Sequence, residues 1–243
     1  MSRYFKQLGI LFVTIVTVVT ATVSAENGTR KTAVISFGLS GEQDVFRSEA
    51  TGAASVVASR FGGDPVIVRF NSRKSGDATI EALAATLEAA GKRLDSSTDV
   101  LFLILTSHGS PDGLDVTFGR RTATLTPSRL SDLLDRAGLR YKVVIISACY
   151  SGVFIPHLAT PDTLVITAAD ANHPSFGCED RAKWTFFGDA FFNVALRQSK
   201  TLRDAFTTAR SIILRREVRN GFEPSHPQMA GGANVEPLLV PRH

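Results

Sequence analysis

The strongest structural signal in this chain is the stretch Tyr141–Gly152, which reads YKVVIISACYSG. Its centre, Val143–Ile146, is an unbroken β-branched apolar run, typical of a strand buried on both faces of a parallel sheet. Small residues and then Cys149 follow, and Ser151-Gly152 indicates a turn. Open α/β sheets bind their ligands at the carboxyl ends of their strands. The pattern therefore predicts a thiol at the ligand-binding edge of a sheet.

A second stretch, Val100–Gly109, has the same form. It reads VLFLILTSHG, an apolar strand that ends at His108-Gly109. If the two strands are neighbours, His108 and Cys149 emerge at one edge, where thiol catalysis needs a base and a backbone turn to hold an oxyanion. Taken singly, a buried Cys is usually a core residue and a His after a strand a loop residue. The matching contexts of the two residues favour a catalytic pair.

The order of elements predicts one α/β domain, residues 26–243, with a parallel or mostly parallel sheet and helices on both faces. The predicted strands are Thr32–Phe37, Pro65–Phe70, Asp99–Ser107, Tyr141–Ser147, Thr163–Ala168 and a last short one near Pro237–Val240. The predicted helices are Val45–Phe61, Thr79–Leu94, Pro127–Ala137, Trp184–Arg197 and Thr201–Arg219. Turn residues within Ser110–Gly119 predict a hairpin excursion.

Residues 1–25 have the three-part pattern of a secretory signal peptide. A basic start with Arg3 and Lys6 precedes the apolar run Leu8–Val23, and small residues ending at Ala25 suit signal peptidase. The mature protein, 26–243, is then expected to be secreted or periplasmic, without stable membrane contact. The alternative is an uncleaved N-terminal anchor, since the apolar run is near the length that a bilayer requires.

The charge and the cysteines narrow the possible functions. The net charge of +4 is mild, and no Lys/Arg block with interleaved aromatic residues predicts binding to nucleic acid. Zinc-type Cys/His spacing is absent from the sequence, so neither a metal site nor a cofactor is expected. The two cysteines, Cys149 and Cys178, leave a disulfide open as the structural alternative for Cys149 in an exported chain.

Together these motifs resemble the caspase-like cysteine peptidases, and in finer detail the legumain (asparaginyl endopeptidase, haemoglobinase) family in a short, bacterial-type form. The family motif E-A-C-x-S-G stands here as Ser147–Gly152, SACYSG. The resemblance spans about Ala33 to Ala195. The other matching elements are Phe46-Arg47, Thr167-Ala168-Ala169, Pro174-Ser175-Phe176 and Phe187-Gly188-Asp189.

The resemblance implies a three-layer caspase-like (caspase-haemoglobinase) sandwich with a mostly parallel central sheet. It implies an endopeptidase that acts on peptides or proteins, cleaving after Asn or Asp through a thioester acyl-enzyme. Cys149 would be the nucleophile and His108 the general base and acid. The backbone N–H groups of Gly109 and Cys149 would line the oxyanion hole.

The resemblance also implies a polar substrate pocket with Arg47, Ser147, Ser175 and Asp189. A cation can bind the oxygen of a carboxamide or carboxylate, and an anion can accept the amide N–H₂. Read from the residues alone, the commoner interpretation is a surface helix residue for Arg47, a turn residue for Ser175 and an acid at a helix N-terminus for Asp189.

Two departures from the family pattern bear on the chemistry. Ser147 replaces the acid before Ala-Cys, which predicts a shift toward Asp or a stronger pH dependence of the Asn/Asp choice. Val45 stands where animal and plant members have an asparagine, so the sequence identifies no third residue that orients His108. No carboxyl-terminal prodomain is expected. The alternatives are a catalytically inactive legumain-like binding protein, and a transpeptidase that uses the same acyl-enzyme.

Overall fold

The computed structural model describes Met1 and residues 30–242. The predicted signal peptide, 1–25, lies outside the described residues apart from Met1, and it stays a prediction. In the part of the chain that the structure describes, no helix combines the length and the apolar character needed to cross a bilayer.

The main sheet has six strands in the order β2-β1-β3-β7-β8-β9. The first five are parallel, and β9 pairs antiparallel with β8 at one edge. The six strands are β1 (Thr32–Gly38), β2 (Val66–Phe70), β3 (Val100–Thr106), β7 (Tyr141–Ser147), β8 (Thr163–Thr167) and β9 (Gln228–Gly231). The hairpin excursion after β3 forms a small antiparallel sheet of β4 (Gly109–Ser110), β5 (Gly113–Phe118) and β6 (Arg121–Leu125).

Helices cover both faces of the main sheet, which confirms the predicted three-layer architecture. The helices are α1 (Asp44–Phe61), α2 (Ile80–Arg93), α3 (Pro127–Ala137), α4 (Ile155–Leu158), α5 (Phe186–Gly188), α6 (Leu196–Gln198) and α7 (Leu202–Arg219). A 3₁₀ turn, Ser151–Phe154, leads into α4, and a π-helical turn, Asp189–Ala195, joins α5 to α6. Helices α2, α3 and α4 pack on one face, and α1 and α5–α7 pack on the other.

The apolar run of β3 shows why the central strands read as continuously hydrophobic. Leu101, Leu103 and Leu105 belong to the core cluster under α2 and α3, while Phe102 and Ile104 belong to the cluster under α1 and α7. Successive side chains of a strand point to opposite faces, so a strand covered on both faces needs an apolar residue at every position.

The strand order has a topological switch point between β1 and β3. From β1 the chain passes through α1 to β2 on one side, whereas β3 lies against β1 on the other side. Connections that diverge in this way leave a crevice at the carboxyl edge, which is the usual ligand site of open α/β sheets. The segments after β1 and after β3 border this crevice.

Two predictions near the carboxyl end needed correction. The last strand predicted near Pro237–Val240 is wrong, because Glu236–Leu238 is a 3₁₀ turn and the edge strand is Gln228–Gly231. Proline cannot donate to a strand ladder, which disfavours the predicted location. The predicted helix Trp184–Arg197 begins later, at Phe186, because the Thr185 hydroxyl accepts a hydrogen bond from Gly188 N and caps it.

Candidate active site

The register of β3 and β7 brings His108 and Cys149 to one edge of the sheet. Thr106 pairs with Ser147, so His108 and Cys149 each lie two residues beyond a matched pair of strand ends. The backbones stay in contact past the strands: a Cβ added to Gly109 would lie 2.3 Å from the carbonyl oxygen of Cys149. Only a glycine allows this approach, because real Cβ atoms do not come so close to an oxygen.

The imidazole of His108 is held by two neighbours at the start of α1. Its Nε2 lies 2.6 Å from Oε1 of Gln43, and its ring meets the ring of Phe46 edge-on at 4.8 Å between centroids. A carbonyl oxygen can only accept, so Nε2 carries the proton of the neutral imidazole and Nδ1 keeps its lone pair. His108 is therefore fixed in the tautomer that can take up a proton at Nδ1.

Gln43 is the orienting residue that the sequence left unidentified. Val45, at the position of the family's asparagine, is fully buried in the core. Gln43 precedes α1 as its N-cap residue, but its side chain makes no cap hydrogen bond and contacts His108 instead. The signal for Gln43 in the sequence is a carboxamide side chain immediately before α1. It lies two residues before Val45, where the family pattern has its asparagine.

We expect Gln43→Ala to lower kcat by about tenfold, the size of one lost hydrogen bond to a group that becomes charged during turnover. KM should change little, because Gln43 contacts the imidazole and not the proposed substrate pocket. Steady-state kinetics on a cleavable peptide measure both constants. The control is Gln198→Ala, an exposed carboxamide at the end of α6. An unchanged kcat in Gln43→Ala would mean that the contact is not needed to orient His108.

Cys149 has a free, partly buried thiol that contacts one residue of the loop after β8. Ser175 N donates to Sγ at 3.3 Å, Sγ donates to Ser175 O at 3.3 Å, and the Ser175 hydroxyl lies 3.8 Å from Sγ. The backbone of one residue therefore both donates to the sulfur and accepts from it. Tyr150, the next residue, has a φ of 54°, so the chain turns sharply behind the sulfur.

The second cysteine is also a free thiol, so the disulfide alternative does not describe this structure. Burial raises the pKa of Cys178 to about 12, and the nearby Cys149 and Glu49 add to the rise. Cys178 therefore stays protonated at neutral pH and is a poor nucleophile. Of the two cysteines, the geometry favours Cys149 for nucleophilic chemistry.

The four residues predicted for the substrate pocket occupy different places around this centre. Ser175 is in contact with Cys149. Ser147 is buried, with its hydroxyl 3.1 Å from the Thr185 hydroxyl. Arg47 is exposed, with its guanidinium 4.7 Å above the ring of Phe70. Ser147 thus lies beneath the surface, whereas Arg47 is exposed beside Phe70, the last residue of β2.

Asp189 does not face the crevice as an unpaired anion. Arg216 donates to its Oδ2 at 2.7 Å and Asn193 to its Oδ1 at 2.9 Å. Arg216 lies on α7 and is a half-buried partner of Asp189. The carboxylate is therefore largely neutralised by α7.

Arg47 and Asp189 line two adjacent depressions. The one at Arg47 has a volume of about 580 Å³ and the one at Asp189 about 260 Å³. Lys183 and Trp184 border both. The two predicted pocket residues therefore flank a common wall at Trp184.

Sequence reasoning missed a buried acid next to Ser147. Glu49 of α1 is fully buried; its Oε1 accepts from the Thr106 hydroxyl and its Oε2 from Thr185 N, both at 2.8 Å. Burial raises the pKa of Glu49, and hydrogen bonds from Ser147, Thr185 and Thr106 partly offset the rise. The departure at Ser147 thus does not leave this region without a carboxyl group.

Within residues 30–242, no cluster of three or more His, Cys, Asp or Glu side chains is arranged to hold a metal ion. The chemistry available at this edge is that of a thiol, an imidazole held in one tautomer, and backbone N–H groups at Gly109 and Cys149.

Comparison with solved structures identifies the fold. Caspase-1 from Spodoptera frugiperda matches with a TM-score of 0.56 at 17% identity, over 83% of this chain and 86% of that one. A structure of pro-sf-caspase-1 matches with a TM-score of 0.59 at 14% identity, over 84% and 92% of the two chains. These matches confirm the caspase-like fold.

A search of curated proteins finds no match. The family model of the peptidase C13 family matches residues 77–233, well over half of the chain. The matched range contains His108, Gly109, Cys149, Ser175 and Asp189, and it begins after α1. The chain therefore belongs to the peptidase C13 family, the legumain family of cysteine peptidases.

Proposed function

We propose that this protein is an exported endopeptidase that cleaves peptide bonds after Asn or Asp with Cys149 as nucleophile and His108 as general base and acid. The observation that carries the proposal is the register of β3 and β7. Thr106 pairs with Ser147, and His108 and Cys149 each follow two residues later at the same edge of the sheet. Membership of a cysteine peptidase family supports the reaction class.

In the proposed first step, Nδ1 of His108 takes the thiol proton while Sγ of Cys149 attacks the carbonyl carbon of the scissile bond. The N–H groups of Gly109 and Cys149 stabilise the oxyanion, since backbone donors aimed at developing charge give a large part of such catalysis. The C–N bond then breaks, and His108 returns the proton to the leaving amine. Gln43 keeps the imidazole in the tautomer that this proton transfer requires.

In the second step, water attacks the thioester with His108 as base, which releases the carboxylic acid and restores the thiol. An amine in place of water would form a new amide bond, the transpeptidation reaction. Product analysis with and without a millimolar peptide amine separates the two outcomes by mass.

For the residue before the cut bond, Arg47 is an exposed cation that lines the larger of the two depressions, which Lys183 also borders. Asp189 is already paired with Arg216, so its carboxylate offers less negative charge than the motif implied. An exposed guanidinium can bind the oxygen of a carboxamide or both oxygens of a carboxylate. We therefore propose that Asn and Asp are both accepted, with Arg47 as the main recognition group.

The experiment is a set of fluorogenic peptides that differ only in the residue before the cut. We expect cleavage after Asn and Asp, and we expect Arg47→Ala to raise KM by about tenfold for both, the loss of one charge-assisted hydrogen bond. Arg129→Ala, an exposed arginine on α3 on the other face of the sheet, is the control. Equal cleavage after all residues, or no effect of Arg47→Ala, would contradict the proposed specificity.

A further inference from the structure

One buried carboxyl group joins the three segments that build the candidate site. Oε1 of Glu49 accepts from Thr106, two residues before His108, and Oε2 accepts from the backbone N–H of Thr185. The hydroxyl of Ser147, two residues before Cys149, lies 3.1 Å from the hydroxyl of Thr185. Glu49 thus contacts the end of β3 and the end of the loop that carries Ser175, and it reaches the end of β7 through Thr185.

Thr185 extends this contact to the helix that carries Asp189. Its hydroxyl accepts from Gly188 N at 2.9 Å and shares a hydrogen bond of 3.1 Å with Ser147. Gly188 also packs directly on the acid, since a Cβ added there would lie 1.9 Å from Oε2 of Glu49. The carboxyl group therefore fixes both Thr185 and the first turn of α5, immediately before Asp189.

The surroundings of Glu49 hold no compensating cation among the described residues. Strands β3 and β7 present the hydroxyls of Thr106 and Ser147, and the loop presents Thr185 and the thiol of Cys178. The ion pair of Asp189 with Arg216 lies beyond Gly188. A buried acid that is costly to desolvate and meets mainly hydrogen-bond donors is more than a packing residue, because a leucine would fill the same space at lower cost.

We propose that Glu49 is a positioning residue for substrate selection: from inside the fold, it holds the loop with Ser175 and the turn before Asp189 against the ends of β3 and β7. It supplies from α1 the carboxyl group that position 147 lacks. This inference rests on the proposed function, since it assigns the held loop to the substrate pocket.

The test is Glu49→Gln, which keeps the size of the side chain. Its carboxamide oxygen accepts from one of the two partners, Thr106 or Thr185, and the other partner loses the acceptor that the second carboxyl oxygen supplies. We expect the preference for Asn over Ala before the cut, as a ratio of kcat/KM, to fall about tenfold, the size of one lost charge-assisted hydrogen bond. A residue with a merely structural role would lower the amount of folded enzyme and leave this ratio unchanged.

A second readout needs no substrate. Ser175, in the loop that Glu49 holds, contacts the thiol of Cys149. Glu49→Gln should therefore speed the alkylation of Cys149 by iodoacetamide. The rate is measured by mass spectrometry of the tryptic peptide that contains Cys149. Glu88→Gln, an exposed glutamate on α2, is the matched control and should change neither readout. A folded Glu49→Gln with the wild-type ratio and the wild-type alkylation rate overturns the inference.

Two further variants keep the test decisive if Glu49→Gln does not fold. Thr185→Val keeps the N–H to Glu49 but removes the hydroxyl that links Ser147 and Gly188, so it should shift both readouts in the same direction, and Thr185→Ser should restore them. Unchanged readouts in Thr185→Val overturn the inference. If the wild-type enzyme cleaves no peptide, the proposed function fails, and the alkylation rates alone decide the role of Glu49.

Discussion

Replacement of Cys149 by Ala or Ser is expected to abolish turnover of peptides that carry Asn or Asp before the cut, with a loss on the order of 10³-fold or more. The physical reason is that no other thiol at this edge can replace it. The measurement is kcat/KM on the fluorogenic peptides, with folding checked by circular dichroism.

The matched control is Cys178→Ala, which removes the other sulfur. In the unchanged protein, the pKa of the Cys178 thiol is about 12, so this thiol stays protonated at neutral pH. The activity of Cys178→Ala should therefore stay within a fewfold of wild type. Retained cleavage in Cys149→Ala, or loss of cleavage in Cys178→Ala with Cys149 intact, would refute the assignment of the nucleophile.

The second large effect is expected from Gly109→Ala. The added methyl group would lie 2.3 Å from the carbonyl oxygen of Cys149 and 3.2 Å from Cβ of Ala148, so the segments that carry His108 and Cys149 must move apart. The N–H of Gly109 then leaves its place beside the nucleophile. Loss of one oxyanion donor costs about 10² to 10³ in kcat, and displacement of His108 adds to that loss.

Gly138→Ala separates this effect from a general loss of stability. Gly138 ends α3 with a φ of 69°, and a Cβ there would touch nothing within 4 Å. The left-handed backbone makes alanine cost about 1 kcal/mol there, which should lower the thermal midpoint and leave kcat/KM unchanged. The two variants are compared at a similar loss of thermal stability. If Gly109→Ala then keeps the wild-type kcat/KM, the proposed oxyanion role of Gly109 is wrong.

The fold, and the place of His108 and Cys149 at one edge of the sheet, could be predicted because their signals are local. The apolar runs of β3 and β7 mark strands covered on both faces, and a residue that follows such a strand has its place fixed by the edge of the sheet. The parallel pairing then decided that His108 and Cys149 stand level. The predicted bounds of β7 and α3 agree with the structure to the residue.

The partners of these residues could not be predicted, because each reaches the site from another element. Gln43 crosses from the segment after β1 to the one after β3, and Glu49, six residues further along, contacts Thr106 and Thr185. Arg216 approaches Asp189 from α7. A sequence motif describes one segment of the chain. It therefore does not predict a carboxyl or amide group that comes from a different helix.

Trp184 is the single tryptophan of the sequence, and it lies where the depressions at Arg47 and Asp189 meet. Its indole also presses on Gly52 of α1, where an added Cβ would lie 2.5 Å from the ring. All indole emission of the protein therefore originates where the loop after β8 packs against α1. A side chain bound in the proposed pocket would change the surroundings of this ring, so tryptophan fluorescence would report its binding.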